Sequence, residues 1–427
     1  MNICLRSSCL VLIGAACLAS APHAVALSFD SYCDLSGYVA PLRQSLIVLD
    51  ESAVSPEPEG KATTVNMPWR KLIGRLLPDS DSALSQAFEA RERVAVMIAR
   101  KDGAGMKEVF TGCLPFYSAA EKKQLAARAG YMGSVETFFG TDPVTEARKA
   151  LDAFRVRLGQ SIREALMPSA LSAARMGNQQ VTLASNGFVT SLRQAGAFVN
   201  LGYGLPRIII YSDMTRYFRD VPATVPEARK AGEQAGFDAG IDLKGAEVHV
   251  VGMSANPRSR DLLGMFFLAA HGELLSVGSP DMLPSFAAAP SSVARYQGLV
   301  RYPDNQFPIR IRLVTDTNGN VLSSWLSVQT SKEQFSPFHG VVTCEVDSSC
   351  AYAGDEVFAQ VWSPQRGPGK EPELATTLPF GGARILSFKL EDSNRMIGSI
   401  SDALIRFQGV EGYKLQFNAV RQPKALF

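Results

Sequence analysis

Two short runs constrain this chain more than anything else in it. Ser45-Leu46-Ile47-Val48-Leu49-Asp50 and Arg207-Ile208-Ile209-Ile210-Tyr211-Ser212-Asp213 are unbroken apolar stretches that end in an acid or a hydroxyl. A strand with one wet face alternates apolar and polar residues. A run without alternation is covered on both faces, as in a parallel sheet flanked by helices. Parallel strands point the same way. Asp50, Ser52, Ser212 and Asp213 are therefore predicted to gather at one carboxyl-end edge, where open α/β sheets bind their ligands.

The rest of the chain divides by texture. Up to residue 277, strands alternate with helical spacing. Arg93–Ala99 and Lys107–Thr111 read as a hairpin around Gly103, and Ala246–Gly252 reads as a further strand. Helices are expected over Trp69–Leu77, Ser82–Arg91, Ala119–Ala129, Phe188–Phe198 and Pro226–Gly236. Another is expected from Pro143 to Leu166, stopped by Pro168, and an amphipathic one over Asp261–Leu275 capped by Ser259 or Asp261. This alternation predicts a three-layer, mostly parallel sheet with helices on both faces. Residues 278–294 hold Pro280, Pro284 and Pro290 among Ser and Ala and read as a linker. From 295 to 427 the pattern is short strands with no long helix. Asn318-Gly319 suits a positive-φ hairpin turn. This half is expected to be an antiparallel β sandwich or barrel.

The start of the chain has the form of a signal peptide, residues 1–26: Arg6, an apolar core over Leu10–Ala19, and Ala24-Val25-Ala26 as a cleavage site. The expected mature chain covers 27–277 as the α/β domain and then the β domain, exported to the periplasm or beyond. No later stretch is long and apolar enough to anchor it in a membrane. Four cysteines follow the signal, and an even number in an exported chain suggests disulfides. Cys344 and Cys350 enclose a five-residue polar turn and pair with each other, which leaves Cys33 for Cys113. Buried free thiols are the alternative. Zinc is disfavoured, because no Cys-x-x-Cys or histidine pair is present. The net charge of +2 lacks the basic stripe of a nucleic-acid binder.

The order strand, helix, hairpin pair, helices, strand, helix, strand, helix resembles the von Willebrand factor A domain over roughly residues 42–277. The resemblance implies a metal-ion-dependent adhesion site, in which hard oxygen ligands hold Mg²⁺ and leave a position for a partner's carboxylate. In this sequence Asp50 and Ser52 match the first acid and the first serine, Thr182 or Ser185 the loop hydroxyl, and Asp213 the final acid. Val54 stands where a second serine belongs and has no oxygen to give. The site is degenerate, and weak Mg²⁺ binding or none is expected. Without a metal, Asp50 and Asp213 cap turns or bond backbone amides.

No catalytic residue is assigned. The mature histidines are His249 inside a strand, His271 on the closing helix and His339 in a polar loop, and none neighbours a candidate nucleophile. Arg310 and Arg312 are expected on a solvated face opposite Ile309 and Ile311. Trp325 is expected in the β core, with a carbohydrate platform as the alternative. The function expected from these residues is protein–protein binding or scaffolding in the cell envelope. The rivals are a hydrolase whose site forms only on folding, and a ligand or carbohydrate sensor built on the β domain. No cofactor beyond Mg²⁺ is expected.

Overall fold

The computed structural model describes residues 43–51, 81–100, 105–117, 143–175, 186–199, 204–212, 221–253, 256–278, 290–301, 305–329, 333–344, 350–354, 383–392, 394–402 and 414–423, with isolated positions and pairs between them. The expected signal peptide and the helices over Trp69–Leu77 and Ala119–Ala129 in nearly their whole length lie outside these residues.

The first half is a six-stranded sheet. In chain order its elements are β1 (Arg43–Asp50), α1 (Asp81–Ala87), β2 (Arg93–Ala99), β3 (Met106–Cys113), α2 (Pro143–Arg175), α3 (Asn186–Phe198), β4 (Leu205–Tyr211), α4 (Val225–Ala239), β5 (Ala246–Val251), α5 (Pro257–Ala269) and β6 (Gly272–Gly278). The strands lie in the order β3-β2-β1-β4-β5-β6, all parallel except the β2–β3 hairpin at one edge. The alternation missing from the sequence reappears in space. Ile47, Leu49, Ile209 and Tyr211 enter one core with Leu84, Phe88, Phe154 and Leu158. Leu46, Val48, Ile208 and Ile210 enter the other with Leu192, Leu263, Phe266 and Phe267. Both faces of the central strands are buried, and each such aliphatic side chain contributes about 2 kcal/mol.

Helices α4 and α5 pack so closely that a Cβ on Gly232 would sit 2.0 Å from the carbonyl oxygen of Leu262. Glycine is required there by contact, because its helical φ places no demand on it.

Three expectations change. Helix α2 continues past Pro168 to Arg175. The flanking Ala, Leu and Met residues keep helix propensity high, so the proline interrupts one hydrogen bond and not the helix. The closing helix ends at Ala269, capped at its start by the Asn256 side chain and not by Ser259 or Asp261. His271 then turns the chain with φ 55°, and Gly272–Gly278 forms β6, read from the sequence as the end of a helix. Leu274-Leu275 suits either period, and the turn at His271 has no sequence mark of its own.

The second half is a closed antiparallel barrel. Its strands are β7 (Ser292–Arg301), β8 (Gln306–Thr315), β9 (Asn320–Gln329), β10 (Glu333–Cys344), β11 (Cys350–Gly354), β12 (Ala383–Asp392), β13 (Arg395–Asp402) and β14 (Lys414–Arg421). Each pairs with its neighbour in sequence, and β14 pairs back onto β7, so the meander closes without a free edge. The two-residue strand Val357–Phe358 attaches to β12 outside the ring. Strand β11 was absent from the sequence reading, which assigned only the turn before it, between Cys344 and Cys350. The interior is packed, with the Tyr352 and Phe388 rings stacked at 4.5 Å and Phe338 edge-on to both. Gly319 takes φ 82° in the β8–β9 hairpin, as Asn-Gly predicted. Asp316 Oδ1 accepts from the Asn318 and Asn320 amides across that turn.

Both disulfides form as expected, Cys33–Cys113 and Cys344–Cys350, the second directly across the β10–β11 register.

Candidate functional site

The strand order reverses direction between β1 and β4, so the crevice outside their carboxyl ends is a topological switch point. Asp50 ends β1 there, and Ser212 follows β4. The Ser212 hydroxyl donates to Asp50 Oδ2 at 2.8 Å and accepts from the Met214 amide at 3.0 Å. The Ser212 amide itself donates to Val251 of β5 at 3.0 Å. One hydroxyl therefore ties the ends of both central strands to the first residues of the next loop. Met214 has φ 56°, an unfavourable conformation for a side-chain-bearing residue, and the bond to Ser212 helps hold it.

Both partners are buried, Asp50 at 2% exposure and Ser212 at 1%. The carboxylate shapes the edge from beneath. Glu51 next to it turns toward β2, its amide on Ala99 O at 3.0 Å and its carboxylate 3.6 Å from Arg100. Its charge is matched by that arginine. Of the residues matched to the adhesion-site pattern, the structure describes Asp50. Ser52, Thr182, Ser185 and Asp213 lie outside the described residues. No three of His, Cys, Asp and Glu cluster as metal ligands do among the described residues. One oxygen of Asp50 is engaged by the Ser212 hydroxyl, and the Val54 side chain carries no oxygen.

The opposite, amino end of the sheet is unlike it. Arg207 opens β4 at 1% exposure, donating from Nε to Ser45 Oγ at 2.9 Å and from Nη2 to Glu92 Oε1 at 3.1 Å. Phe88 covers the guanidinium at 5.3 Å. Arg43 pairs with Glu247 at 3.1 Å, and the other Glu247 oxygen accepts from Ser323 Oγ of the barrel. Burial alone would raise the Glu247 carboxyl, but Arg43 and the Ser323 hydroxyl outweigh it and hold its pKa below the usual value. Glu89 nearby is pushed up to about 7, first by burial and then by the Glu92 charge. His249 lies in the same layer, its Nδ1 2.8 Å from Ser276 Oγ. Burial and the Arg207 charge lower its pKa to about 4, so it is neutral, as expected of a satisfied core histidine.

The barrel docks on this amino end. Arg312 reaches across to the carbonyls of Lys244 and Gly245 at 3.2 and 2.6 Å, and holds Ser323 O of its own domain. At 2% exposure it is not on the solvated face that its alternation with Ile309 and Ile311 suggested. The isoleucines do face the barrel core and Arg310 is exposed as expected, but at Arg312 the outer side is covered by the sheet domain. Burial lowers the Arg312 pKa to about 9. Trp325 is likewise on the outer wall and not in the barrel core. It packs with Phe335 against Met265 and Leu268 of α5. His339, in β10 and not in a loop, meets Glu273 of β6 at 2.7 Å, and that hydrogen bond raises the imidazole pKa.

Sequence reasoning located the switch-point edge and missed this interface. Its signal was present: Arg43, Gln44, Ser45 and Arg207 are polar residues leading directly into buried strands. No family model matches the chain, and no curated protein matches it.

Proposed function

We propose that this chain is an exported cell-envelope protein that binds or scaffolds another protein through the carboxyl-end edge of a von Willebrand factor A-like domain. The carrying observation is the division of the sheet. The described contacts with the barrel fall at the amino ends of β4, β5 and β6 and on the last half of α5, away from Asp50 and Ser212. An order of β3-β2-β1-β4-β5-β6 with one antiparallel edge strand supports the A-like reading. The two disulfides suit an oxidising compartment.

The binding is proposed to be independent of metal, because Asp50 is engaged by Ser212 and Val54 replaces a ligand. Capture of crosslinked envelope proteins by the full chain, with and without chelator, tests this. A defined partner is expected that ignores chelator and is lost with Asp50→Ala and Asp213→Ala combined in a folded protein. Capture that chelator abolishes would restore the metal. Capture that survives both substitutions would move the binding surface elsewhere.

A further inference from the structure

The barrel and the sheet domain do not meet flush. Between the turn at Lys244 and Gly245, His271, and the outer wall of β7–β10 lies a cavity of about 390 Å³. That is the size of a small-molecule site, and domain interfaces are where such sites form.

Its charges are uneven: Lys244, Arg295, Arg310 and Arg312 against Asp242 and Glu333. Most of them are engaged. Arg312 is held by carbonyls, as above. Lys244 Nζ donates to Val199 O at 2.6 Å. Arg310 pairs with Glu333, and Asp242 meets His271 Nδ1 at 3.3 Å. Arg295 differs. Among the described residues its half-buried guanidinium has no acid and no hydrogen-bond acceptor. It also stands directly across the β7–β8 register from Arg312. Like charges in directly opposed positions on paired strands repel; Glu247 and Glu273 act on the Arg312 side, but Arg295 has no acid beside it among the described residues.

The apolar side of the cavity is aromatic. The Trp325 and Phe335 rings lie 5.6 Å apart, tilted by 43°. Trp325 lines the space, and its buried indole Nε1 has no acceptor. Buried donors of this kind are normally satisfied. An uncommitted arginine fork recognises a carboxylate in bidentate geometry, and a pair of aromatic rings suits a flat apolar body.

We infer that the cavity between sheet and barrel binds a small aromatic carboxylate, its carboxylate on Arg295 and its ring against Trp325, which Phe335 backs. The site lies at the opposite end of the sheet from Asp50 and is independent of the protein-binding edge.

The test is calorimetric titration of the full chain with benzoate, 2-naphthoate and indole-3-acetate, each beside its neutral amide. At least one acid is expected to bind at millimolar concentration or below, with its amide about ten-fold weaker or more, the worth of one charge-assisted contact. Arg295→Gln is expected to lose about ten-fold toward the acid, to leave the amide unchanged and to keep the melting temperature. Should Arg295→Gln melt early, Arg295→Lys serves, since it keeps the charge and removes the fork; a smaller loss than ten-fold is expected. Asp50→Ala is expected to bind the acid as wild type does. Equal affinity for acids and amides, binding unaffected by either Arg295 variant, or no binding by any acid would overturn the inference.

Discussion

The two ends of one sheet handle polar groups in opposite ways. At the amino end, Arg43, Arg207, Glu92 and Glu247 are buried in ion pairs, and the barrel adds Ser323 and Arg312 to the same layer. At the carboxyl end, one hydroxyl joins Asp50 to the loop after β4, and the ion pair there, Glu51 with the partly exposed Arg100 at 3.6 Å, is looser. Taking ions out of water is expensive, and their mutual attraction returns the cost only with good geometry and full hydrogen bonding. A cluster of that kind fits a surface that another part of the chain must cover in one register. A carboxylate accepting from a serine instead shapes a loop. A charge at the start of a buried strand thus marks a docked end, and a carboxylate at its finish marks a loop-bearing one.

The contrast is sharpest in stability. Arg207→Leu leaves Glu92 fully buried without its guanidinium and is expected to cost about 3–5 kcal/mol in urea unfolding. A loss below about 1 kcal/mol would mean that the amino-end pairs are not structural. The Cys33–Cys113 bond is fastened at the same end, because Cys113 pairs with Arg93 at the start of β2. It spans 80 residues, against 6 for Cys344–Cys350. Replacing the first pair with serines is expected to cost about 4 kcal/mol and the second about 2 kcal/mol, by loop-closure entropy. Equal losses would break that ranking.

At the other end the effects shrink. Ser212→Ala removes two buried hydrogen bonds, to Asp50 and from the Met214 amide, and is expected to cost about 2 kcal/mol. A loss as large as that of Arg207→Leu would erase the difference between the ends.

The smallest effect is a pH dependence across the docked interface. Glu273 raises the folded-state pKa of His339 above its unfolded value. Its stabilisation is fully present below the unfolded pKa, about 6.5, and is lost as the pH climbs through the raised folded value. The His339 side chain is 46% exposed, so screening limits the gain to a few tenths of a kcal/mol. Denaturant midpoints of wild type and His339→Gln should converge above that range and separate below it. Parallel midpoints at every pH would remove the pair from the interface.

Much of the fold was legible because burial leaves a one-dimensional trace. Leu46–Leu49 and Ile208–Ile210 have no alternation, and both prove to be central strands with cores on each face. Asn318-Gly319 marked its hairpin through the one conformation that suits it. Strand β6 was illegible because a short apolar run fits two periods and the deciding turn sits at a histidine. Arg312 and Trp325 were illegible because a strand's outer face reads the same whether water or another domain covers it. At the edge, the meeting of Asp50 and Ser212 followed from parallel strands alone. The cavity at Arg295 did not, since its walls come from residues far apart in the chain and only the docking brings them together.

The central claim is that the carboxyl end of the sheet meets other proteins while the amino end meets the chain's own barrel. A photo-crosslinking residue placed in living cells at position 253, just beyond β5, or at position 244, just before it, tests this directly. The account predicts adducts to another protein from position 253 and only internal links to the barrel from position 244. Adducts to other proteins from position 244, with none from position 253, would contradict it.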